Sequence, residues 1–397
     1  MNASRLFAFV ATLTLIVACL FTRTAGAGEI LDNEKLLEMI KEGVSLKVIL
    51  AKIQSDPKDC HFVSGFKDTI AIQKACNSAS WTPADTDTIQ TKVNDLAAQG
   101  LKDLKNLVNL FLTSADNDDE NQNPQQYVEL LHRLVRAGTT VVPFLRDNLS
   151  QESERKRVGV LIALASIGDK TADMLKECVM LLDDPSKPVR AQAAKTVAVL
   201  KGADTGELLI TMLNRRDKKN DGVALALGYM RYEPAIEPLV QVLKTSREAD
   251  DKVCAAFSLG EMRAKTFGAP DALLLGILDD KDENLREVCA RACALIGERR
   301  APLYITKAFD RFRPGRKKII DVLAYFKSTH GARFLAEQLE NDDNEIRKIA
   351  MKTLEVLLTG EHYETKEQWL SYIELLSLRP EWQEPKESGK LPDLQEK

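Results

Sequence analysis

Histidine is scarce in this chain. Only four occur in 397 residues, at His61, His132, His330 and His362, and no two stand at a ligand spacing. That removes the usual imidazole cluster for a metal. The short catalytic signatures are missing too: there is no GxSxG elbow, no P-loop and no HExxH helix, so the common hydrolase, nucleotide and zincin sites have no residues to build on. Aromatic residues make up only 6%, which leans away from a β-sandwich. Neither sign of charge dominates, the formal net charge being −4, so no electrostatic footprint for nucleic acid is present. What remains is ordinary globular material, 44% hydrophobic and 29% charged and rich in Ala and Leu, enough for one large core or a long stacked one. These absences predict a chain that is not an enzyme, with no cofactor, no metal and no small-molecule substrate.

The first 27 residues form a separate object. MNASR supplies a positive charge, an apolar run extends from Leu6 to Phe21, and TRTAGA ends on Ala25-Gly26-Ala27. This is the layout of a secretory signal peptide, cleaved after Ala27, and it predicts a periplasmic or secreted protein. A second reading competes with it. Ile16-Val17-Ala18-Cys19 resembles the lipobox of bacterial lipoproteins, which would lipidate Cys19 and anchor the chain in the envelope. Against it, Leu20 and Phe21 continue the apolar run where a polar tether is expected.

A repeat runs through the rest. LDDPSKPVR (182–190), LDDKDENLR (278–286) and LENDDNEIR (339–347) share Leu, acidic or amide residues, a polar spacer, an aliphatic residue and Arg. LSQESERKR (149–157) keeps the separation of Leu and Arg. The four arginines, Arg157, Arg190, Arg286 and Arg347, stand 33, 96 and 61 residues apart, which is one, three and two steps of about 32. Each step reads as two amphipathic helices, the second closing near Gly168, Gly202, Gly228, Gly260 or Gly297, where a left-handed cap favours glycine. No such pair can bury its apolar face alone, so neighbours must stack.

VRAQAAKTVAVLKGAD and LREVCARACALIGER resemble the second helix of the HEAT family, in particular its short HEAT-like repeats of the bilin-lyase type. The resemblance spans about seven units between Thr139 and Gly360 and implies an all-α, right-handed α-solenoid. It also implies a structural ladder of turn acids and helix arginines: Asp184 with Arg190, Asp280 with Arg286, and Arg347 in the last unit. The match is uneven. Asp221 and Asp251 occupy the counted Arg places, and the unit containing RFRPGRKKIIDVLAYF lacks its turn acids. The iron hydroxylase built on the same repeat uses His-Glu dipeptides, and here no His is followed by Glu. LTGEHYETKEQWLSYIE resembles the closing segment of secreted bacterial HEAT proteins, with Trp369 covering the last layer.

The expected organisation is a signal peptide (1–27), a small helical N-terminal domain (28–113), an acidic linker (114–124), the solenoid (125–378) and a disordered tail (379–397). Cys289 and Cys293, four apart on a repeat helix, read as buried apolar thiols, as do Cys178 and Cys254. Cys60 and Cys76 flank one helix in an exported domain and read either as a disulfide or as free core thiols. The cluster Arg299, Arg300, Lys307, Arg311, Arg313, Arg316, Lys317 and Lys318 reads either as a solvated face or as a patch for an acidic protein, anionic lipid or envelope polymer. Asp221 and Asp251, in the atypical units, are further binding candidates. The functional expectation is an exported scaffold that binds a protein partner along the curved face of its repeats. The alternative is a lipid-anchored envelope component whose basic patch meets anionic lipid or polymer.

Overall fold

Helix α8 (Lys187–Leu200) shows how a repeat helix is specified. Ser186 caps it by accepting from the Val189 N–H at 3.4 Å, and Pro188 falls in the first turn, where its missing N–H is harmless. Val189, Ala193, Ala194, Val197 and Leu200 then recur at helical spacing and are buried. Asp282, Ser328 and Asp343 cap three later helices in the same way, and Thr365 does so within a full capping box.

A computed structural model describes residues 31–55, 60–61, 75–76, 82–116, 124–150, 152–168, 172–214, 219–279 and 281–383. The signal peptide, Cys19 and Asp280 lie outside them, as does most of the acidic linker. The chain divides into two compact units, the first ending at Ile167 and the second beginning at Gly168. No helix among the described residues is long and apolar enough to cross a membrane.

In the first unit, β1 (Leu31–Asp32) pairs in parallel with β2 (Cys60–His61), a two-residue contact in an otherwise helical chain. Helices α1 (Asn33–Lys41) and α2 (Leu46–Ser55) bury Leu36, Ile40 and Ile49 against Ile89 and Val93 of the long α3 (Pro83–Asp116). Cys76 lies in that cluster as a free thiol. Burial raises its pKa, which keeps it protonated and apolar. Helix α3 also packs on α4 (Pro124–Ala137) and α6 (Glu154–Ile167), and the short α5 (Val142–Arg146) completes a helix pair with α6.

The second unit is a stack of six helix pairs. The first helices are α7 (Ala172–Met180), α9 (Thr205–Leu213), α11 (Ile236–Thr245), α13 (Ala269–Ile277), α15 (Ala301–Arg311) and α17 (Thr329–Glu337). The second helices are α8, α10 (Asp221–Met230), α12 (Ala249–Glu261), α14 (Glu283–Ile296), α16 (Arg316–Ile320) and α18 (Asn344–Leu357). With α5 and α6 of the first unit, seven pairs form, as the repeat spacing predicts. Second helices pack on second helices from α8 to α14, first helices pack on first helices from α11 to α17, and α19 (Lys366–Ser377) closes against α17. The fold is therefore an all-α, HEAT-like solenoid. In the irregular unit the second helix shrinks to α16 and a 3-10 turn, Asp321–Tyr325. The residues Pro380–Trp382, within the stretch expected as a tail, form a further 3-10 turn with Trp382 buried.

Two glycines play a different part from the one their position suggests. Gly228 and Gly260 lie inside α10 and α12 instead of capping them. A Cβ on Gly228 would stand 2.8 Å from the Ser258 Cα, and one on Gly260 would stand 2.9 Å from the Ala292 Cα. They are the contact points at which successive second helices approach. The left-handed caps of α10 and α12 fall instead on Arg231 and Arg263, each at φ 51°.

Candidate functional site

The second helices start with a polar ladder. Arg190 donates from Nε and Nη2 to the Asp221 carboxylate at 2.6–2.9 Å and from Nη1 to the Asp184 backbone carbonyl at 2.8 Å. Arg286 reaches the carbonyls of Asp279 and Pro314, both at 2.7 Å, and Arg347 that of Asn341 at 2.5 Å. The marker arginines thus satisfy carbonyls of the preceding turn, and Arg286 also one of the following repeat. The carboxylate partner of Arg190 is Asp221, one repeat on, and Asp184 takes part through its main chain.

This corrects the reading of Asp221 and Asp251 as binding residues. Both are buried. Asp221 neutralises Arg190, and Asp251 accepts from the Asn220 N–H at 2.9 Å and the Ser246 hydroxyl at 3.1 Å. Asp221 and Asp251 are buried at the starts of their helices and satisfied within the repeats, so they are internal ties.

The basic segment is partly consumed by the protein's own acids. Arg300 grips Glu298 and Asp271, each at 2.9 Å. Burial works against the Glu298 carboxylate, yet Arg300 holds it below its usual pKa. Arg316 donates to the Phe309 carbonyl at 2.6 Å, Lys317 pairs with Asp343 at 3.1 Å and Lys318 with Glu283 at 2.6 Å. Arg299 donates to the Gln383 carbonyl. Lys307, Arg311 and Arg313 stay exposed, Arg311 lying over the Phe312 ring. A groove of about 620 Å³ beside Arg313 and Lys317 is lined also by Glu340, Asp342 and Asp343, so its charge is mixed.

Cys178, Cys254, Cys289 and Cys293 are free and buried. Burial pushes the Cys178 and Cys254 thiols up to about 12 and the Cys289 thiol well above its ordinary value, which leaves no thiolate for nucleophilic or metal chemistry near neutral pH. Among the described residues no group of three or more His, Cys, Asp and Glu could hold a metal ion.

A surface that sequence reasoning missed lies on the outward side of the second helices. Lys195, Tyr229, Phe257 and Leu295 lie on the successive second helices α8, α10, α12 and α14. Lys195 Nζ stands 5.9 Å from the Tyr229 ring centroid, and that ring meets Phe257 edge-on at 5.8 Å. Leu295 of the next helix lies over Gly260 and is 47% exposed. Arg291 beside it reaches Asp321 at 3.3 Å, and Tyr325 is 65% exposed. The signal was in the sequence, as large residues set against the small-residue face of each second helix. The acidic turns drew attention away from it.

Comparison with known proteins follows from this geometry. Residues 222–245 match the PBS lyase HEAT-like repeat, and the repeat unit is of that type. No curated protein matches the chain. Among solved structures, the CpcE–CpcF complex of phycocyanin lyase from Nostoc sp. PCC7120 is 18% identical, with 63% of this chain and 94% of that one covered and a TM-score of 0.33. Human deoxyhypusine hydroxylase is 13% identical, covering 66% of this chain and 99% of its own, with a TM-score of 0.28. Kap121p is 13% identical, covering 87% and 46%, with a TM-score of 0.36. One expectation is corrected here. The matched repeat is named for a lyase, so missing catalytic motifs do not make this chain a non-enzyme.

Proposed function

We propose that the chain is an exported HEAT-repeat scaffold of the cell envelope that binds a protein partner along the outward face of its second helices. The observation that carries this reading is the half-buried Tyr229–Phe257 ring pair together with the exposed Leu295 and Tyr325 on later repeats. Scattered exposed apolar residues are normal on any protein, whereas large ones aligned over successive repeats mark an interaction surface. Export rests on the layout of residues 1–27.

Photo-crosslinking residues placed at Leu295 and Tyr325 test the reading in intact cells of the source, with Glu237 on a first helix as the control. A single protein captured from the two face positions and not from the control is the expected result. Capture of nothing, or equal capture from all three, overturns it. The N-terminus of the mature chain tests its location: a start at Gly28 fits soluble export, and a lipidated Cys19 places the scaffold on the envelope membrane.

A further inference from the structure

We infer that the turn from Arg263 to Gly268, between α12 and α13, docks the protein on an anionic bilayer surface, with Phe267 entering the headgroup region and Lys244, Arg263 and Lys265 meeting the lipid phosphates. This goes beyond the partner-binding reading and does not depend on it.

The turn is pinned at both ends. Ala264 is buried, and its N–H reaches the Leu259 carbonyl at 3.0 Å. Ala269 is buried on the other side, with its N–H on the Thr266 carbonyl at 3.0 Å. Between these two points Lys265, Thr266, Phe267 and Gly268 are all exposed, Phe267 to 60%. A ring held out on a fixed turn loses little further freedom when something covers it. Single exposed apolar residues are common, so the ring alone decides nothing. Its surroundings do.

Those surroundings are cationic. Two peptide units keep the Lys265 Cα within about 7 Å of the Phe267 Cα. Lys244 reaches over from α11, its Nζ standing 4.0 Å from where a Cβ on Gly268 would lie. Arg263 opens the turn and is exposed. Among the described residues none of the three cations has a side-chain ion pair or hydrogen bond. The acids that flank the turn do not neutralise it: Arg300 takes Asp271 at 2.9 Å, and Glu261 forms no ion pair. Arg263 and Lys244 stand at helix C-termini, where a cation is favoured by the helix's own charge. Lys265, out in the turn, gains nothing from that.

This combination selects the occupant. A protein interface buries its aromatic anchor among further apolar groups. Here the exposed residues beside Phe267 are Thr266, Gly268 and the cations. One ring flanked by ammonium and guanidinium groups suits a headgroup region, where the ring sits at the acyl boundary and the charges meet phosphate. A free phosphate polymer would use the charges and leave the ring in water. With one ring and three cations the attachment is weak and reversible.

Co-sedimentation of the exported chain, residues 28–397, with vesicles at millimolar lipid tests the inference. The apolar leader is left out because it would bind lipid by itself. Binding to mixed phosphatidylglycerol and phosphatidylcholine vesicles, and not to phosphatidylcholine alone, is expected. F267S should weaken it about tenfold and K244Q/R263Q/K265Q about a hundredfold. Both variants should melt as the parent does, since all four side chains are exposed. F267W keeps a ring and should bind like the parent, its added emission shifting to shorter wavelength on the mixed vesicles. No binding to the mixed vesicles, equal binding to phosphatidylcholine alone, undiminished binding by F267S, or an F267W emission that stays fixed overturns the inference. So does a photo-crosslinker at Phe267 that captures protein and no lipid in intact cells. The vesicles contain no protein partner, so their result leaves the scaffold reading to the crosslinks at Leu295 and Tyr325.

Discussion

Arg190 and Asp221 are each about 3% exposed in their side chains and pair with one another at 2.6 Å. A buried pair of this kind adds little net stability, because desolvation offsets attraction, but removing one partner strands the other. Arg190→Ala is therefore expected to cost about 3–5 kcal/mol, read as a lower urea midpoint, whereas Arg190→Met with Asp221→Leu should recover most of it. Equal loss in the single and double variants would show that packing, not the stranded charge, sets the cost. Asp251 makes the opposite case. Burial raises its pKa, the Asn220 N–H and Ser246 hydroxyl lower it without cancelling that effect, and the charge of Asp221 raises it further. The folded state thus holds the proton more tightly than the unfolded chain, whose aspartate titrates near pH 3.9. By linkage, this residue's contribution is full below that value and is lost as pH rises through the folded pKa. Asp251→Asn keeps the bond from the Asn220 N–H, turns the one with Ser246 round so that the amide donates, and removes the charge. The stability difference between variant and parent should grow as pH rises from the acid side, in favour of the variant. A difference that stays flat across that interval would remove Asp251 from the balance.

Helices meet in this stack by backbone approach. Gly228 and Gly260 sit at helix-interior positions where alanine is intrinsically favoured by about 1 kcal/mol. A methyl group at either would press on the backbone of the facing helix, at Ser258 or Ala292, so the net effect of Gly228→Ala or Gly260→Ala is destabilisation of about 1–3 kcal/mol. Gly202→Ala, whose added Cβ finds neighbours only at 3.7 and 3.8 Å, should be close to neutral and serves as the control in the same melting experiment. Equal shifts at all three sites would mean that helix propensity and not contact governs. The same glycines mark how far the sequence could be read. Helix pairs and their period were legible because Leu, Ala and Arg recur at a fixed separation, and a burial pattern repeated several times outweighs local noise. The helix ends were not. Glycine after leucine looks the same whether it caps a helix or admits its neighbour, and only the three-dimensional contact with Ser258 or Ala292 separates the two. The half-buried Tyr229–Phe257 pair and the exposed Leu295 escaped notice for a related reason: each residue looks like core within its own repeat, and its exposure depends on which side of the helix the next repeat covers.

A stack in which each layer touches only its neighbours distributes stability locally. Trp369 lies wholly buried on α19, with Tyr363 edge-on at 4.9 Å, and α19 packs on α17 at the end of the series. Trp369→Ala removes the largest buried side chain of that end, at about 3–5 kcal/mol. In a globular core such a loss would loosen amides throughout. Here native-state hydrogen exchange should accelerate in α17, α18 and α19 while α8, α10 and α12 keep their protection, and Arg190→Ala should produce the reverse pattern. The reason is that no described layer of the second unit bridges the two regions except through the layers between them, so an opening at one end need not be shared by the other. Uniform acceleration across the second unit in either variant would mean that the layers unfold as one cooperative block.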